Sequence, residues 1–276
     1  MLDDPLVDAV REHYDRVSVY YRAFWGEHIH HGYWEDGESP AAAQVKLVEL
    51  LAARAHIRRG GRVLDVGCGL GGPAFWLARH LGCRVLGITI SPVQVAMATA
   101  KAHAERLVDR VHFAVMDANQ LALLPESFDA VWIIECSEHL FDKPRFIETC
   151  ARLLRPGGVL ALCAWLVAAD LRSVAQARLI AEVASGMLCL SLASRRDYVS
   201  WIWAGGFAHV EAEDLTQRVE PTWVYGTALV RHPAVRALLW VSDVHLQRFV
   251  ATFEAMRRAY AEGAMAYGLF TAWKPR

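Results

Sequence analysis

The chain is predicted to be an α/β protein with a doubly wound, mostly parallel seven-stranded sheet, N-terminal helices and a helical cap, and three observations predict it. First, residues 63 to 72 read Val-Leu-Asp-Val-Gly-Cys-Gly-Leu-Gly-Gly, a short apolar strand that runs into a glycine-rich turn and then a helix. Second, apolar segments recur at 62–66, 84–88, 111–115, 128–134 and 158–164, separated by stretches of helical periodicity. Third, these segments are apolar along their length instead of alternating, as strands covered on both faces must be.

Taken in order, Asp4 as N-cap and Pro5 at the first helical position open a helix predicted to run to about Trp25, with Tyr14 and Tyr21 on one face. A polar, His-rich linker over Gly26 to Ser39 leads to a second helix at 40–56. Between the strands, helices are expected to start near Gly72, Ser91 and Lys143. Beyond the fifth strand, 167–204 is mainly helical by composition, and Phe207 to Ala212 is a candidate sixth strand. Residues 234–262 carry one long amphipathic helical pattern, and Tyr267 to Trp273 alternates like a final edge strand. The expected division is N-terminal helices with a lid linker (1–58), a ligand-binding α/β core (59–166), and a helical cap that carries the last strands (167–276).

Composition narrows the partners. The chain has 276 residues, a formal net charge of −1 and no Lys/Arg run, which points away from nucleic acid and from a polybasic membrane patch. Small or weakly charged ligands are the default. The apolar run Val159 to Ala169 is about half of the ~20 residues a membrane span needs, so it reads as a buried strand. Leu2-Asp3-Asp4-Pro5 lacks the basic and apolar regions of a signal peptide, and cytoplasmic residence is expected. The cysteines at 68, 83, 136, 150, 163 and 189 form no C-x-x-C pair and read as reduced, buried thiols. His28, His30 and His31 have no Cys or carboxylate at a standard ligand spacing, so no metal is expected; with Tyr33 they are expected at the pocket entrance. The apolar N-terminal helix could pack on a second copy, which leaves a homo-oligomer open.

The ligand class follows from one acidic residue. Glycines at 67, 69 and 71 allow a close backbone approach, but Gly67, Gly69 and Gly72 also satisfy the dinucleotide pattern G-x-G-x-x-G, so the glycines alone are a weak signal. Asp65 tilts the choice, because a carboxylate there would repel a pyrophosphate. It suits a ligand with an ammonium and a sulfonium, as S-adenosylmethionine has.

Four segments carry a family resemblance: Trp25-Gly26-Glu27-His28-Ile29-His30-His31-Gly32-Tyr33, the loop at 65–72, Gly87-Ile88-Thr89-Ile90-Ser91-Pro92-Val93-Gln94, and the end near Met256 to Phe270. Over nearly the whole chain they resemble class I S-adenosylmethionine-dependent small-molecule methyltransferases, most closely the γ-tocopherol methyltransferase-like group. The resemblance implies a Rossmann-like fold in which Asp65, Gly67 and Gly69 shape the methionine end of the cofactor. Thr89, Ile90 and Gln94 take the place of the ribose-gripping acid found in many relatives, a substitution that also counts against NAD. Asp117 and the Ala118 amide would face the adenine, Ile134 and Glu135 the sulfonium end, and Tyr14 and Tyr21 would close over the cofactor. The plainer alternatives are that Asp117 is a turn carboxylate and that the tyrosines pack a helix.

Methyl transfer from a sulfonium asks for alignment and water exclusion, and for proton removal only with some acceptors. Glu138 and His139 follow the fourth strand as the candidate catalytic pair, with His139 the natural base for a hydroxyl, or else a loop cap. Sugar O-methyltransferases similar to this chain place an acid near the end of the fifth strand, where this sequence has Ala164-Trp165. The His-acid pair is therefore incomplete, which favours an electron-rich carbon as acceptor. Trp165 and Trp223, with His30 and Tyr33, are the expected acceptor contacts, and Trp201, Trp203 and Trp240 add to an aromatic cap. The expected reaction is carbon methylation of an apolar isoprenoid or aromatic, indole-type natural product, open to cation-driven cyclisation. The alternatives are O- or N-methylation of a sugar-like or alkaloid metabolite with His139 as base, and a non-catalytic cofactor-binding protein.

Overall fold

Three of the helices on the core begin where a side chain caps them. The computed structural model describes residues 5–276 apart from 170, 172, 190, 191 and 243; the expected N-cap Asp4 lies outside the described residues. Ser39 accepts from the Ala42 amide at the start of α2 (Pro40–Arg54), Ser91 from Gln94 at α4 (Pro92–Ala104), and Asp142 from Arg145 at α5 (Lys143–Leu153). All three helices carry proline in the first turn, where its missing N–H costs nothing. Gly71, at φ +82°, leads into α3 (Gly72–Leu81), and a Cβ there would come within 2.7 Å of the Phe113 ring.

The strands are β1 (Arg62–Val66), β2 (Arg84–Thr89), β3 (Val111–Val115), β4 (Phe128–Ile134), β5 (Leu154–Val167), β6 (Ala208–Asp214) and β7 (Met265–Trp273). They form one seven-stranded sheet in the order β3-β2-β1-β4-β5-β7-β6. The first five run parallel, while β7 pairs antiparallel with both β5 and β6. Two cores cover the two faces. Val63, Val85 and Trp132 face Leu47, Leu51 and Phe75, whereas Leu64, Ile88 and Val131 share a core with Phe146, Ile147 and Ile202. The winding reverses between β1 and β4, and the crevice outside their carboxyl ends is where such sheets bind ligands.

The outer parts depart from the sequence expectation in three ways. Tyr267 to Trp273 is not an edge strand: β7 lies between β5 and β6, because both of its faces are buried, whereas β6 alternates and holds the edge. The first helix, α1 (Pro5–Tyr20), widens into a π-helical turn over Tyr21–Trp25, closed by Gly26 donating its amide to Tyr21 O. The single long helix over 234–262 is two helices, α10 (Pro233–Val241) and α11 (Val244–Ala261), broken where Ser242 is extended and its hydroxyl bonds the Leu239 carbonyl. The cap also contains α6 (Val174–Gly186), α7 (Arg195–Ala204), α8 (Thr216–Val219) and α9 (Pro221–Arg231). No helix among the described residues is long and apolar enough to cross a membrane.

Candidate active site

A cavity of about 810 Å³, measured out to its open mouth, lies over the carboxyl ends of β1, β2 and β4. Its floor is the glycine turn. Gly67 adopts φ +73°, and a Cβ there would fall 2.4 Å from that of Cys136, so glycine is required on both counts. Thr89, Ile90 and Gln94 line one wall. Thr89 Oγ1 donates to Gln94 Oε1 at 2.7 Å and accepts from the Ser91 amide, which fixes both side chains with no carboxylate at the strand end. Asp117 and Ala118 line the far end. One Asp117 oxygen, Oδ1, accepts from Asn119 N and Nδ2, so it shapes a turn and also belongs to the cavity wall. Asp65 lies beneath the turn, 2 % exposed, and its Oδ2 finds no hydrogen-bond partner among the described residues. Burial pushes its pKa up to about 7. A buried, unpaired carboxyl at the foot of a glycine turn fits a ligand that brings a cation.

Where β4 ends, Glu135 takes a left-handed backbone (φ +54°) and turns its carboxylate into a buried network. Oε1 accepts from the His31 amide at 2.8 Å and the Tyr267 hydroxyl at 2.7 Å, while Oε2 meets His31 Nδ1 at 3.0 Å. Trp223 Nε1, which can only donate, reaches His31 Nε2 at 2.6 Å. The His31 proton therefore sits on Nδ1 and is given to Glu135. Burial alone would raise the Glu135 pKa, but the His31 and Tyr267 contacts outweigh it and hold it near 2. The network joins the linker, the sheet and the cap in one unit.

Through Tyr14, Ile29, Glu135 and His139 the large cavity adjoins a smaller chamber of about 380 Å³. Glu138, 1 % exposed, lines it and accepts from the Trp165 amide at 2.5 Å; burial pushes its pKa up to about 8. Tyr14 OH and His139 Nε2 are 3.0 Å apart, and His139 Nδ1 is 2.9 Å from the Leu188 carbonyl. Because a carbonyl only accepts, Nδ1 carries the His139 proton and Tyr14 donates to Nε2. Burial lowers the His139 pKa. Trp165 also lines the chamber, and its indole N–H is buried without a partner among the described residues.

Residues 64–162 match the family model described as a methyltransferase domain. The chain is 33% identical to the 27-O-demethylrifamycin SV methyltransferase of Amycolatopsis mediterranei (strain S699), over 98% of each sequence. It belongs to the class I S-adenosylmethionine-dependent methyltransferases. It is also 27% identical to the chloroplastic tocopherol O-methyltransferase of Arabidopsis thaliana, covering 99% of this chain and 83% of that one. Among solved structures, the cyclase SpnF superposes with a TM-score of 0.79 at 28% identity, over 98% of this chain and 97% of that one.

In this methyltransferase, Tyr14, Gly67, Gly69, Thr89, Ile90, Gln94, Asp117, Ala118, Ile134 and Glu135 meet around the large cavity, with Asp65 just below. Tyr21 lines the smaller chamber instead, as do Glu138 and Trp165. Three expected acceptor contacts lie elsewhere. His30 is buried, with Nε2 bonded to His28 and Nδ1 to the His31 carbonyl; Tyr33 packs under the Arg218 guanidinium; Trp223 is spent on His31. Of the three linker histidines it is His31, and not His30, that reaches Glu135. His13 was missed: it lines the chamber and bonds His245 at 2.9 Å across the fold, a pairing without local signal. Among the described residues no cluster of three His, Cys, Asp or Glu could hold a metal ion.

Proposed function

We propose that this methyltransferase moves a methyl group onto a hydroxyl oxygen of an apolar small-molecule metabolite, with Glu138 taking the hydroxyl proton. The observation that carries the reading is the buried Glu138 carboxyl, 2.5 Å from the Trp165 amide, in the chamber that abuts the donor cavity. The acid that Ala164-Trp165 lacks in sequence is delivered to the end of β5 from the turn after β4. Its pKa near 8 suits a base working at neutral to mildly alkaline pH. When bound, the sulfonium supplies an electrophilic methyl group. Glu138, as carboxylate, accepts the hydroxyl proton, and the unpaired Trp165 indole N–H offers a donor to an oxygen on the acceptor. His139 is a positioning residue in this scheme, since its Nε2 is occupied by Tyr14. The name of the rifamycin relative supports an oxygen acceptor in natural-product metabolism.

Carbon methylation is the second reading, favoured by the aromatic walls around the chamber. One experiment separates them: incubation with S-adenosylmethionine and an extract of apolar metabolites from the producing cell, with products read by mass and by carbon NMR. An added O-methyl signal, reduced at least a hundredfold in Glu138→Gln, is expected. A new carbon-bound methyl, or an O-methyl product made equally well by Glu138→Gln, overturns the oxygen or the base assignment respectively. Binding of S-adenosylhomocysteine without transfer to any acceptor overturns both and favours a non-transferring role.

A further inference from the structure

Beside the reaction chamber lies a second space of about 510 Å³, measured to its mouth, between the π-helical turn and helices α9, α10 and α11. Its lining is aliphatic and aromatic throughout, including Trp25, Val230, Leu239 and Val250. Two residues, Tyr21 and Phe249, line both spaces, with ring centroids 5.8 Å apart in an edge-on contact. They form a partition one side chain thick. On the far side, every residue of α10 is at least partly exposed, although the helix reads Pro-Ala-Val-Arg-Ala-Leu-Leu-Trp-Val. Val235, Leu238 and Leu239, an i, i+3, i+4 stripe, are only half-buried and line the groove, with Leu239 alone of the three also packed on the core. An ordinary cap helix would bury that stripe. Apolar side chains that face a void forgo both dispersion contacts and removal of water, and an apolar guest restores both.

We infer that this groove binds the extended apolar portion of the methyl acceptor, so that the acceptor spans two compartments, its reacting group beside Glu138 and its hydrocarbon body between the π-helical turn and α10. The inference rests on the methyl-transfer reading for the identity of the ligand, and on the adjacency of the two spaces across a partition of only two side chains, Tyr21 and Phe249, which must part for the acceptor to span both. The groove selects length and apolarity, whereas the chamber selects the reacting group. A short or fully hydroxylated acceptor would leave the α10 stripe uncovered.

The test needs no knowledge of the natural acceptor. With S-adenosylhomocysteine saturating the donor cavity, straight-chain 1-alkanols of increasing length compete against 1-anilinonaphthalene-8-sulfonate, whose displacement reports affinity. In the wild type, affinity is expected to rise about fourfold per added methylene until the groove is full, then level off. Leu239→Trp and Val230→Phe, on different helices, fill the groove and are expected to abolish the gain for long chains while leaving the shortest alkanol unchanged. Undiminished S-adenosylhomocysteine affinity in each variant establishes that it is folded. The same length dependence in wild type and both folded variants, or none in the wild type, overturns the inference. Methyl transfer is measured separately as S-adenosylhomocysteine release, so failure of the groove and failure of the transfer reading give different results.

Discussion

The donor cavity and the acceptor chamber share a wall but are built by opposite means. Along the strand ends that line only the donor cavity the polar contacts are local: Thr89 with Gln94, Asp117 with Asn119, the Gly67 turn against its own sheet. At the wall the two spaces share, and on the chamber side of it, they join distant parts of the chain: His31 with Glu135, Tyr14 with His139, His13 with His245. The difference teaches that donor recognition is a property of backbone conformation at the strand ends, which any cap can inherit. On the proposed reading, acceptor choice falls to side chains brought together by tertiary packing.

The sharpest way to test that division is Glu138→Gln, expected to lower turnover by roughly 10² to 10⁴ while S-adenosylhomocysteine affinity stays within about twofold, read by calorimetry beside steady-state rates. Loss of both together would mean that the halves are not separable. The wild-type rate should rise with pH up to about 8, as the base loses its proton, and the variant should lack that rise.

His31→Ala attacks the seam between the halves. It leaves Glu135 buried and short of a partner, at an expected cost of about 3–5 kcal/mol in denaturant unfolding. The pH dependence has a definite sign. Glu135 has a folded pKa near 2, below the ordinary 4.5, so its contribution is present above pH 4.5 and is lost as pH falls toward 2. Glu135→Gln should flatten that acid limb, and an unchanged limb would remove Glu135 from the account.

A smaller effect is expected on the donor side. Asp65 titrates near 7 without a partner, and a cationic ligand needs it ionised. The affinity for S-adenosylhomocysteine, which keeps the ammonium, should rise as pH increases toward 8, by up to roughly tenfold per unit below 7. Asp65→Asn should bind more weakly and with little pH dependence. The smallest change is expected from Trp223→Phe, which removes one donor from His31 and should cost about 1 kcal/mol, with donor affinity untouched.

The same division explains what the sequence made legible. The glycine turn, Thr89 with Gln94, Asp117 and the capped helix starts are signals that span a few residues, and each stands where the local pattern put it. Ser242, by contrast, interrupts a helical periodicity that continues on both sides of it, so one pattern hid two helices. Glu138 was visible as a residue next to His139, but its approach to Trp165 depends on how β4 and β5 pair. His30 and His31 are chemically alike in sequence; only the 104-residue reach to Glu135 tells them apart. The place of β7 inside the sheet is a matter of topology, to which alternation along one strand is blind.

The position of β7 also constrains how the molecule is made. A ribosome delivers β5 and β6 before β7, yet in the finished sheet β7 separates them, so β6 has no partner strand and β5 only β4 until residues 265–273 have emerged. During that wait the free edge of β5, which is mostly buried apolar sequence, is the stretch most open to pairing with another nascent chain. Glu211, Glu213 and Asp214 put charge along β6 while it waits for the same partner, which disfavours pairing with another chain.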